Sequence, residues 1–236
     1  MGLTDRALHP CYYGDESFTD RKEMAAQMGT TDPLSPVQRP GPAEGPVQTG
    51  AKPARIPPGQ YVTEHLPVLH HGSIPYFDRD TWDFRIWGLV DKERVWTFDQ
   101  FRDLPTASVV ADIHCVTRWS KLDTRWEGIT TQEVLSQVKI RPKARYVLVH
   151  AEQGYTANVP LEDFVREGHL FAWRYEGQEL SPAHGWPLRL VMPSLYFWKS
   201  AKWVRGIELL AEDQPGFWEQ YGYHHRGDPW REERFE

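Results

Sequence analysis

Eight prolines between residues 31 and 58 divide this chain into parts with different capacities to fold. Three glycines interrupt the same stretch, and large apolar side chains are almost absent from it. Such a segment buries too little apolar surface to offset the entropy lost on ordering. We therefore predict an N-terminal arm or linker over residues 1–58, one globular domain over 59–212, and a C-terminal tail over 213–236 that packs on the domain.

The domain is predicted to contain many short strands and a few short helices. Apolar and polar residues alternate over 82–86, which is typical of a half-exposed strand, and residues 107–116 read as a buried strand. Thr97 and Thr130 each precede a helical pattern as capping residues. A helix is thus expected to follow the loop after residue 116. This mixture indicates an α+β fold in which β structure dominates.

Charge and hydropathy exclude several classes of partner. The net charge is −6, whereas a surface that tracks nucleic-acid phosphates is normally basic, so we expect no nucleic-acid partner. No run approaches the ~20 consecutive apolar residues that span a bilayer. The first residues lack the apolar core of a signal peptide, so we expect a cytoplasmic protein. Cys11 and Cys115 lie in segments of opposite character and are expected to be reduced thiols.

The chemically richest run is HCVTRWSKLDTRW, at residues 114–126. Its Cys115 could supply a thiolate, which binds soft or high-valent transition metals well. Polar and cationic neighbours would favour the ionised sulfur. Alternatively, a single cysteine at the end of a strand is simply a small buried residue, and this run alone leaves both readings open. The neighbours in question are His114, Thr117, Arg118, Ser120 and Lys121.

A second cationic run, HGWPLRLVMPSLYFWKSAKWVRGIEL, occupies residues 184–209. Taken singly, each Lys or Arg would be expected to be a solvated surface charge. Their clustering beside Pro and Trp favours a site for a small anion, because charge-assisted contacts to phosphate are strong. The cations of this run are Arg189, Lys199, Lys202 and Arg205.

Together the two runs resemble the molybdopterin-binding domain of the sulfite oxidase family, especially its small single-domain bacterial members. In that family one cysteine at a strand-to-loop junction is the only protein ligand of molybdenum, and a pyranopterin dithiolene supplies two more sulfurs. Cys115 matches this position, and the resemblance covers roughly residues 60–210. The later part of the family's pattern is matched by His184-Gly185, by the proline-flanked strand 187–193 and by Ser200-Ala201-Lys202-Trp203.

The resemblance implies a molybdenum–molybdopterin cofactor (Mo-MPT) and a compact mixed sheet with a barrel-like core. By the same resemblance, phosphate and pterin would be held by His184, Arg189, Ser200, Ala201 and Lys202. A polar residue at the start of the domain would also contact the pterin; among His65, His70 and His71 we predict His70 and His71. Residues expected to face substrate oxygen atoms near Cys115 are His114, Arg118, Lys121 and His150.

The implied function is that of a molybdopterin-dependent oxidoreductase transferring an oxygen atom or two electrons. We expect S- or N-oxides as substrates, with sulfite oxidation as the alternative, because only part of an arginine cluster is visible in the sequence. The chain carries no recognisable haem domain and fewer than thirty residues after the last predicted strand. We therefore expect a monomer that exchanges electrons with a separate haem, flavin or quinone partner.

Two rival functions belong to other classes. A cysteine-nucleophile hydrolase could use Cys115 with His150 or His114, but it would need a third group to orient the base, and no local signature of such a family is present. A metal-free binding module could keep the fold without the chemistry. The presence of Cys115, Arg189 and Lys202 together argues against that module.

Overall fold

The structure is a computed structural model and describes residues 55–236. Cys11 and most of the predicted arm lie outside the described residues. The described part is built from two sheets, three short α-helices and several 3₁₀ turns. The helices are α1 (Phe98–Arg102), α2 (Thr131–Ser136) and α3 (Leu161–Phe164).

The first sheet carries the cysteine run. Its central strand β5 pairs in parallel with β1 and antiparallel with β4 and β8, and β8 also pairs with β9 and β10. The strands are β1 (Tyr61–Val62), β4 (Ala107–His114), β5 (Trp119–Thr130), β8 (Leu170–Tyr175), β9 (Gln178–Glu179) and β10 (Arg189–Val191).

The second sheet has the strand order β3-β2-β11-β6-β7. Strand β11 is central, parallel to β2 and antiparallel to β6. The strands are β2 (Asp83–Gly88), β3 (Arg94–Thr97), β6 (Tyr146–Ala151), β7 (Thr156–Pro160) and β11 (Val204–Leu210). The prediction of an α+β fold dominated by β structure is confirmed.

The main hydrophobic core joins the two sheets. Phe84 of the second sheet lies with its ring 5.1 Å from that of Phe171 in the first sheet, and both residues are fully buried. Successive residues of a strand point to opposite faces. Leu190 accordingly belongs to this core, whereas its neighbour Val191 belongs to a second cluster that contains Cys115. The first sheet is therefore buried on both faces, and the cysteine lies on the face away from the main core.

Two helix starts follow from capping side chains. The Thr97 hydroxyl accepts from the Gln100 N–H and the Gln100 side chain accepts from the Thr97 N–H, which makes a complete capping box. Thr130 Oγ1 likewise accepts from the N–H of Glu133 at 3.1 Å. Each threonine side chain therefore satisfies one of the four amides that a helix start leaves free.

The stretch after Cys115 departs from the sequence analysis. A twelve-residue strand, β5, lies between the cysteine turn and α2, where we expected only a loop. The alternation along β5 is hidden because Ser120 and Thr124 occupy fully buried positions. Their hydroxyls are bonded to His114 Nδ1 and to the Ala111 carbonyl, so burial of these polar groups is offset.

Candidate functional site

Cys115 lies in a tight turn that joins β4 to β5. Its N–H donates to the Trp119 carbonyl at 2.9 Å, and its own carbonyl accepts from the Arg118 N–H at 3.0 Å. Arg118 has a φ of 75°, in the left-handed region that non-glycine residues seldom adopt. Gln60 Nε2 donates to the same carbonyl at 3.0 Å. The turn is therefore held from both of its ends and from the side.

The Cys115 sulfur is buried, with a relative exposure of 6% for the residue. Burial raises the pKa of this thiol, while the hydrogen bond from Thr117 Oγ1, 3.1 Å from Sγ, and the positive charge of Arg234 act in the opposite direction. A metal cation at the sulfur would reverse the balance, because a coordinating thiol loses its proton. The sulfur is thus buried and hydrogen-bonded rather than exposed as a nucleophile, and its role as a metal ligand stays a prediction.

Three residues that the sequence analysis missed surround the cysteine turn. Arg234 is 7% exposed, donates from Nη1 to the Val116 carbonyl at 2.6 Å, and lies 4.8 Å from the centre of the Tyr196 ring. Gln60 and Tyr196 complete the group, and burial raises the pKa of Tyr196 above its usual value. None of them belongs to a recognisable local motif, because they come from distant parts of the chain.

Two cations of the second run, Arg189 and Lys202, lie together at a different place, whereas Lys199 pairs with Glu219 and Arg205 with Asp83 and Glu152. Arg189 is 1% exposed and donates to the carbonyls of His184 at 2.8 Å and Ser200 at 3.2 Å. Lys202 Nζ donates to the Ala183 carbonyl at 2.6 Å. Gly185 lies between the two cations, because a Cβ on it would be 3.0 Å from Arg189 Cβ and 3.1 Å from Lys202 Cβ.

Burial lowers the pKa of both Arg189 and Lys202. It lowers the pKa of Arg189 to about 9. It also lowers the pKa of Lys202 to about 7, with a smaller contribution from the charge of Arg189. A buried Arg189 and a half-buried Lys202, neither paired with a carboxylate within residues 55–236, are costly unless an anion is bound. The cluster is therefore suited to a phosphate.

The other residues predicted to bind the cofactor line the same region. His184 has Nδ1 2.9 Å from Ser181 Oγ and Nε2 3.2 Å from the Leu66 carbonyl. Ser200 is buried, and its hydroxyl accepts from the Met192 N–H at 2.9 Å. Ala201 is packed in the main core.

The segment from residue 60 to residue 71 connects the cysteine turn with the cationic cluster. Its Tyr61 N–H donates to the Arg118 carbonyl at 2.8 Å, and its Leu66 packs in the cluster that contains Cys115. Further along, the His70 ring lies 5.5 Å from that of Trp203, and the His71 ring lies 4.4 Å from that of Phe217. His70 thus borders the Lys202 end, because Lys202 Nζ lies over the same Trp203 ring, whereas His71 packs against Phe217 and Trp218.

The remaining predicted residues have other partners. His150 lies in β6 of the second sheet, 3.1 Å from Glu208 and 4.6 Å from the Trp87 ring. His114 bonds Ser120, and burial lowers the pKa of its imidazole. Lys121 Nζ donates to the Leu122 carbonyl at 3.4 Å. A role for these three residues at the substrate stays a prediction.

Several buried polar atoms around the two clusters have no hydrogen-bond partner within residues 55–236, although buried polar groups normally do. Most of them are N–H or O–H donors, so a group rich in oxygen acceptors and negative charge would satisfy them. The residues therefore fit a cofactor that would bring a phosphate and further oxygen acceptors. These atoms are Gln60 Oε1, Trp119 Nε1, Arg189 Nε, the Tyr196 hydroxyl, and Nε and Nη2 of Arg234.

Comparison with known proteins settles the family. Residues 71–218 match the profile of the oxidoreductase molybdopterin-binding domain. The chain belongs to this family. As a member of the molybdopterin-binding family it is a molybdenum-dependent oxidoreductase, as the sequence resemblance implied. No helix within residues 55–236 is long and apolar enough to cross a membrane.

Several named proteins are similar to this chain in sequence. The chain is 48% identical over 182 residues to the uncharacterised oxidoreductase YuiH of Bacillus subtilis, which covers 77% of this chain and 92% of the relative. It is 27% identical over 173 residues to YedZ1 of Azospira oryzae, a putative protein-methionine-sulfoxide reductase subunit, and the match covers 72% of this chain and 66% of that relative. It is 28% identical over 191 residues to sulfite oxidase of Arabidopsis thaliana, and the match covers 65% of this chain and 48% of that relative.

A solved structure agrees with the fold. The sulfane dehydrogenase SoxCD from Paracoccus pantotrophus superposes with a TM-score of 0.56 at 19% sequence identity. The superposition covers 78% of this chain and 60% of that protein. The predicted fold of the sulfite oxidase molybdopterin-binding domain is thereby confirmed.

Proposed function

We propose that this protein binds Mo-MPT and transfers an oxygen atom, or two electrons, at a molybdenum ligated by Cys115. The observation that carries the proposal is the buried Cys115 turn, bordered by donors that have no partner among the described residues. When bound, the cofactor supplies the redox chemistry itself. The protein contributes a thiolate ligand, fixed orientation and positive charge.

The cationic cluster would hold the phosphate end of the cofactor. Among the described residues Arg189 Nε has no partner, so it can donate to the phosphate. An adjacent phosphate would also favour the protonated form of Lys202. His184 would contact the pterin next to them, with Ser200 and Ala201 shaping the wall. His70 would border the same end from the segment that crosses over the cluster, and a pterin contact of His71 stays a prediction.

Residues near Cys115 would bind and orient the substrate. The Tyr196 hydroxyl is protonated at neutral pH, as for any tyrosine, and burial raises its pKa further, so it can donate a hydrogen bond. Arg118 and Arg234 add positive charge. A neutral oxide needs only one such donor at its oxygen, whereas a doubly charged anion needs several cations to offset its desolvation. We therefore propose reduction of S- or N-oxides, in keeping with the name of the Azospira oryzae relative.

Sulfite oxidation is the second candidate. Arg234 adds a cation that the sequence analysis did not count, and one relative is a sulfite oxidase. The hydrolase alternative has less support. Within residues 55–236 the hydrogen-bond partner of Cys115 Sγ is Thr117 Oγ1, and the His150 imidazole is bonded to Glu208 in the other sheet.

The electron partner would be a separate protein or quinone, because a two-electron reaction at molybdenum requires a donor or acceptor for each turnover. Haem, flavin and quinone carriers remain the proposed classes. We also propose that the protein acts as a monomer in the cytoplasm. Gel filtration at micromolar concentration and cell fractionation check these two points.

Metal analysis combined with one substitution tests the proposal. We expect about one molybdenum per chain, and we expect Cys115→Ser to abolish oxide reduction with reduced viologen while the far-ultraviolet circular dichroism is unchanged. Cys11→Ser is the matched control and should keep full activity. Wild-type turnover by the Cys115 variant would exclude the sulfur as metal ligand.

The substrate class needs a second assay. Dimethyl sulfoxide and trimethylamine N-oxide should be reduced by molybdenum-replete protein, and sulfite should be oxidised weakly or not at all with ferricyanide as acceptor. Efficient sulfite oxidation without oxide reduction would replace the first candidate by the second.

A further inference from the structure

Arg234 lies outside the part of the chain that matches the family profile, which ends at residue 218. Its side chain nevertheless reaches the cysteine turn, where Nη1 donates to the Val116 carbonyl at 2.6 Å. More than nine-tenths of the residue is buried, and both Nε and Nη2 lack a partner in the part of the chain that the structure describes. A buried guanidinium with free donors is costly unless a ligand accepts from them.

The segment that carries Arg234 is fixed to the domain by ionic contacts. Lys199 and Glu219, whose side chains are fully buried, pair at 2.6 Å. Arg226 pairs with the buried Asp163 at 2.8 Å. Backbone pairing adds to this, because the Tyr196 N–H donates to the carbonyl of Gly227 at 2.7 Å. The position of Arg234 is therefore set by the fold and not by a loose chain end.

Three charged groups converge above the cysteine turn. A Cβ placed on Gly59 would lie 3.1 Å from Arg118 Nη1, 3.3 Å from Glu232 Oε1 and 3.8 Å from Arg234 Nη2. Arg118 and Glu232 both have left-handed backbones, with φ of 75° and 53°. Strained residues of this kind gather at binding sites, where neighbouring structure holds them in place. Two arginines and one glutamate give this group a formal charge of +1.

We propose that Arg234 is a substrate-binding residue of a pocket bordered by Cys115, Arg118 and Glu232, and that it donates from Nε and Nη2 to an oxygen atom of the substrate on the buried side of this pocket. Arg118 stands on the exposed rim and Glu232 limits the positive charge. The pocket therefore takes a neutral dipolar oxide or a singly charged oxyanion in preference to a dianion. This inference rests on the proposed function in placing the substrate next to Cys115.

Kinetics of molybdenum-loaded protein give the first test. Arg234→Ala should raise KM for dimethyl sulfoxide roughly tenfold to a hundredfold, the effect of one charge-assisted hydrogen bond, while kcat changes less than threefold and molybdenum content stays at the wild-type level. Arg231→Ala is the matched control, since this neighbouring arginine is exposed and pairs with Glu233. Arg234→Lys retains the charge and should recover part of the affinity.

Anion binding gives a second readout that does not depend on turnover. Calorimetric titration of the oxidised, loaded protein with nitrate should show at least tenfold weaker binding in Arg234→Lys than in wild type. Glu232→Gln raises the charge of the group to +2 and should strengthen sulfate binding several-fold more than nitrate binding. Arg234→Lys keeps the charge of the buried side chain, and Glu232→Gln changes an exposed side chain. Both variants therefore test the inference even if Arg234→Ala does not fold.

Two results would overturn the inference. Unchanged KM together with unchanged nitrate affinity would remove Arg234 from the substrate pocket. Loss of molybdenum from both Arg234 variants would show that its free donors hold the cofactor instead. Absence of oxide reduction in the wild type would contradict the proposed function alone, because the nitrate and sulfate titrations still decide the role of Arg234.

Discussion

Replacing Lys202 by methionine should stabilise the cofactor-free protein while it weakens cofactor binding. Methionine has nearly the same length and shape, so the change removes the charge and little packing. Burial, with a smaller effect of Arg189, lowers the pKa of Lys202 from 10.5 to about 7. The charged lysine is thus much less stable in the folded protein than in the unfolded chain.

The size of this effect follows from the pKa values. A difference of one pKa unit corresponds to about 1.4 kcal/mol, so the folded protein loses up to about 5 kcal/mol below pH 7 and about 4 kcal/mol at pH 7. Partial solvation of the side chain reduces these figures. The variant also loses the bond from Nζ to the Ala183 carbonyl, worth about 1 kcal/mol. We expect a net gain of about 1–3 kcal/mol, or roughly 2–10 °C in Tm.

The stability difference between Lys202→Met and wild type should depend on pH, which a change in packing alone would not produce. The folded pKa of Lys202 lies below its unfolded value, so the penalty is fully present below pH 7 and disappears as pH rises towards 10.5. The advantage of Lys202→Met should therefore shrink between pH 7 and pH 10. Thermal and urea unfolding of protein made in a host without molybdopterin synthesis measure both quantities.

Lys199→Met is the matched control, with the same substitution three positions away. Lys199 Nζ is 2.6 Å from Glu219 Oε1, and both side chains are fully buried. Removing one partner of a buried pair leaves the other charge uncompensated, which costs about 3–5 kcal/mol. This variant should lose about 10 °C or more in Tm. The reasoning fails if cofactor-free Lys202→Met is less stable than wild type at pH 7.

Three further predictions concern the cofactor and the sheet. Arg189→Ala should lower molybdopterin content, because a buried phosphate loses a charge-assisted partner worth roughly 1.5–3 kcal/mol; Arg205→Ala, whose guanidinium pairs with Asp83 and Glu152, is the control, and full pterin content in the first variant would place the phosphate elsewhere. Cofactor retention should weaken above pH 7, since a bound phosphate favours the protonated Lys202 and binding takes up a proton; extraction followed by fluorescence of the oxidised pterin across pH 6–9 measures this, and flat retention would contradict it. Gly128→Ala should destabilise the protein by about 2–4 kcal/mol in urea unfolding, because its Cβ would lie 1.9 Å from the Phe171 carbonyl oxygen, and an unchanged midpoint would mean that the β5–β8 contact can widen.

Local signals in the sequence predicted much of the architecture. The capping pairs after Thr97 and Thr130 marked two helix starts, and the alternation over 82–86 marked a strand. These signals work because each depends on residues a few positions apart. Strand β5 escaped notice since buried hydroxyls on Ser120 and Thr124 imitate the polarity of a loop.

The candidate site was only partly predictable for a related reason. Cys115, Arg189 and Lys202 stand in dense motifs, so the sequence points to them directly. Gln60, Tyr196 and Arg234 meet around the cysteine turn only after the sheets have formed, and each stands in an unremarkable local context. Lys199 illustrates the converse, because a lysine in the cationic run proves to be an internal ion-pair partner of Glu219.

Unequal anchoring on the two sides of Cys115 has a consequence for amide hydrogen exchange. The Cys115 N–H is bonded to Trp119, at the start of a strand that pairs with three others, so this amide should exchange only when the first sheet unfolds as a whole. The opposite side is formed by β1, two exposed residues held along one edge. The amides of β1 should exchange by local opening, orders of magnitude faster than the Cys115 amide. Deuterium uptake would then show a rigid cysteine turn next to an edge strand that opens readily.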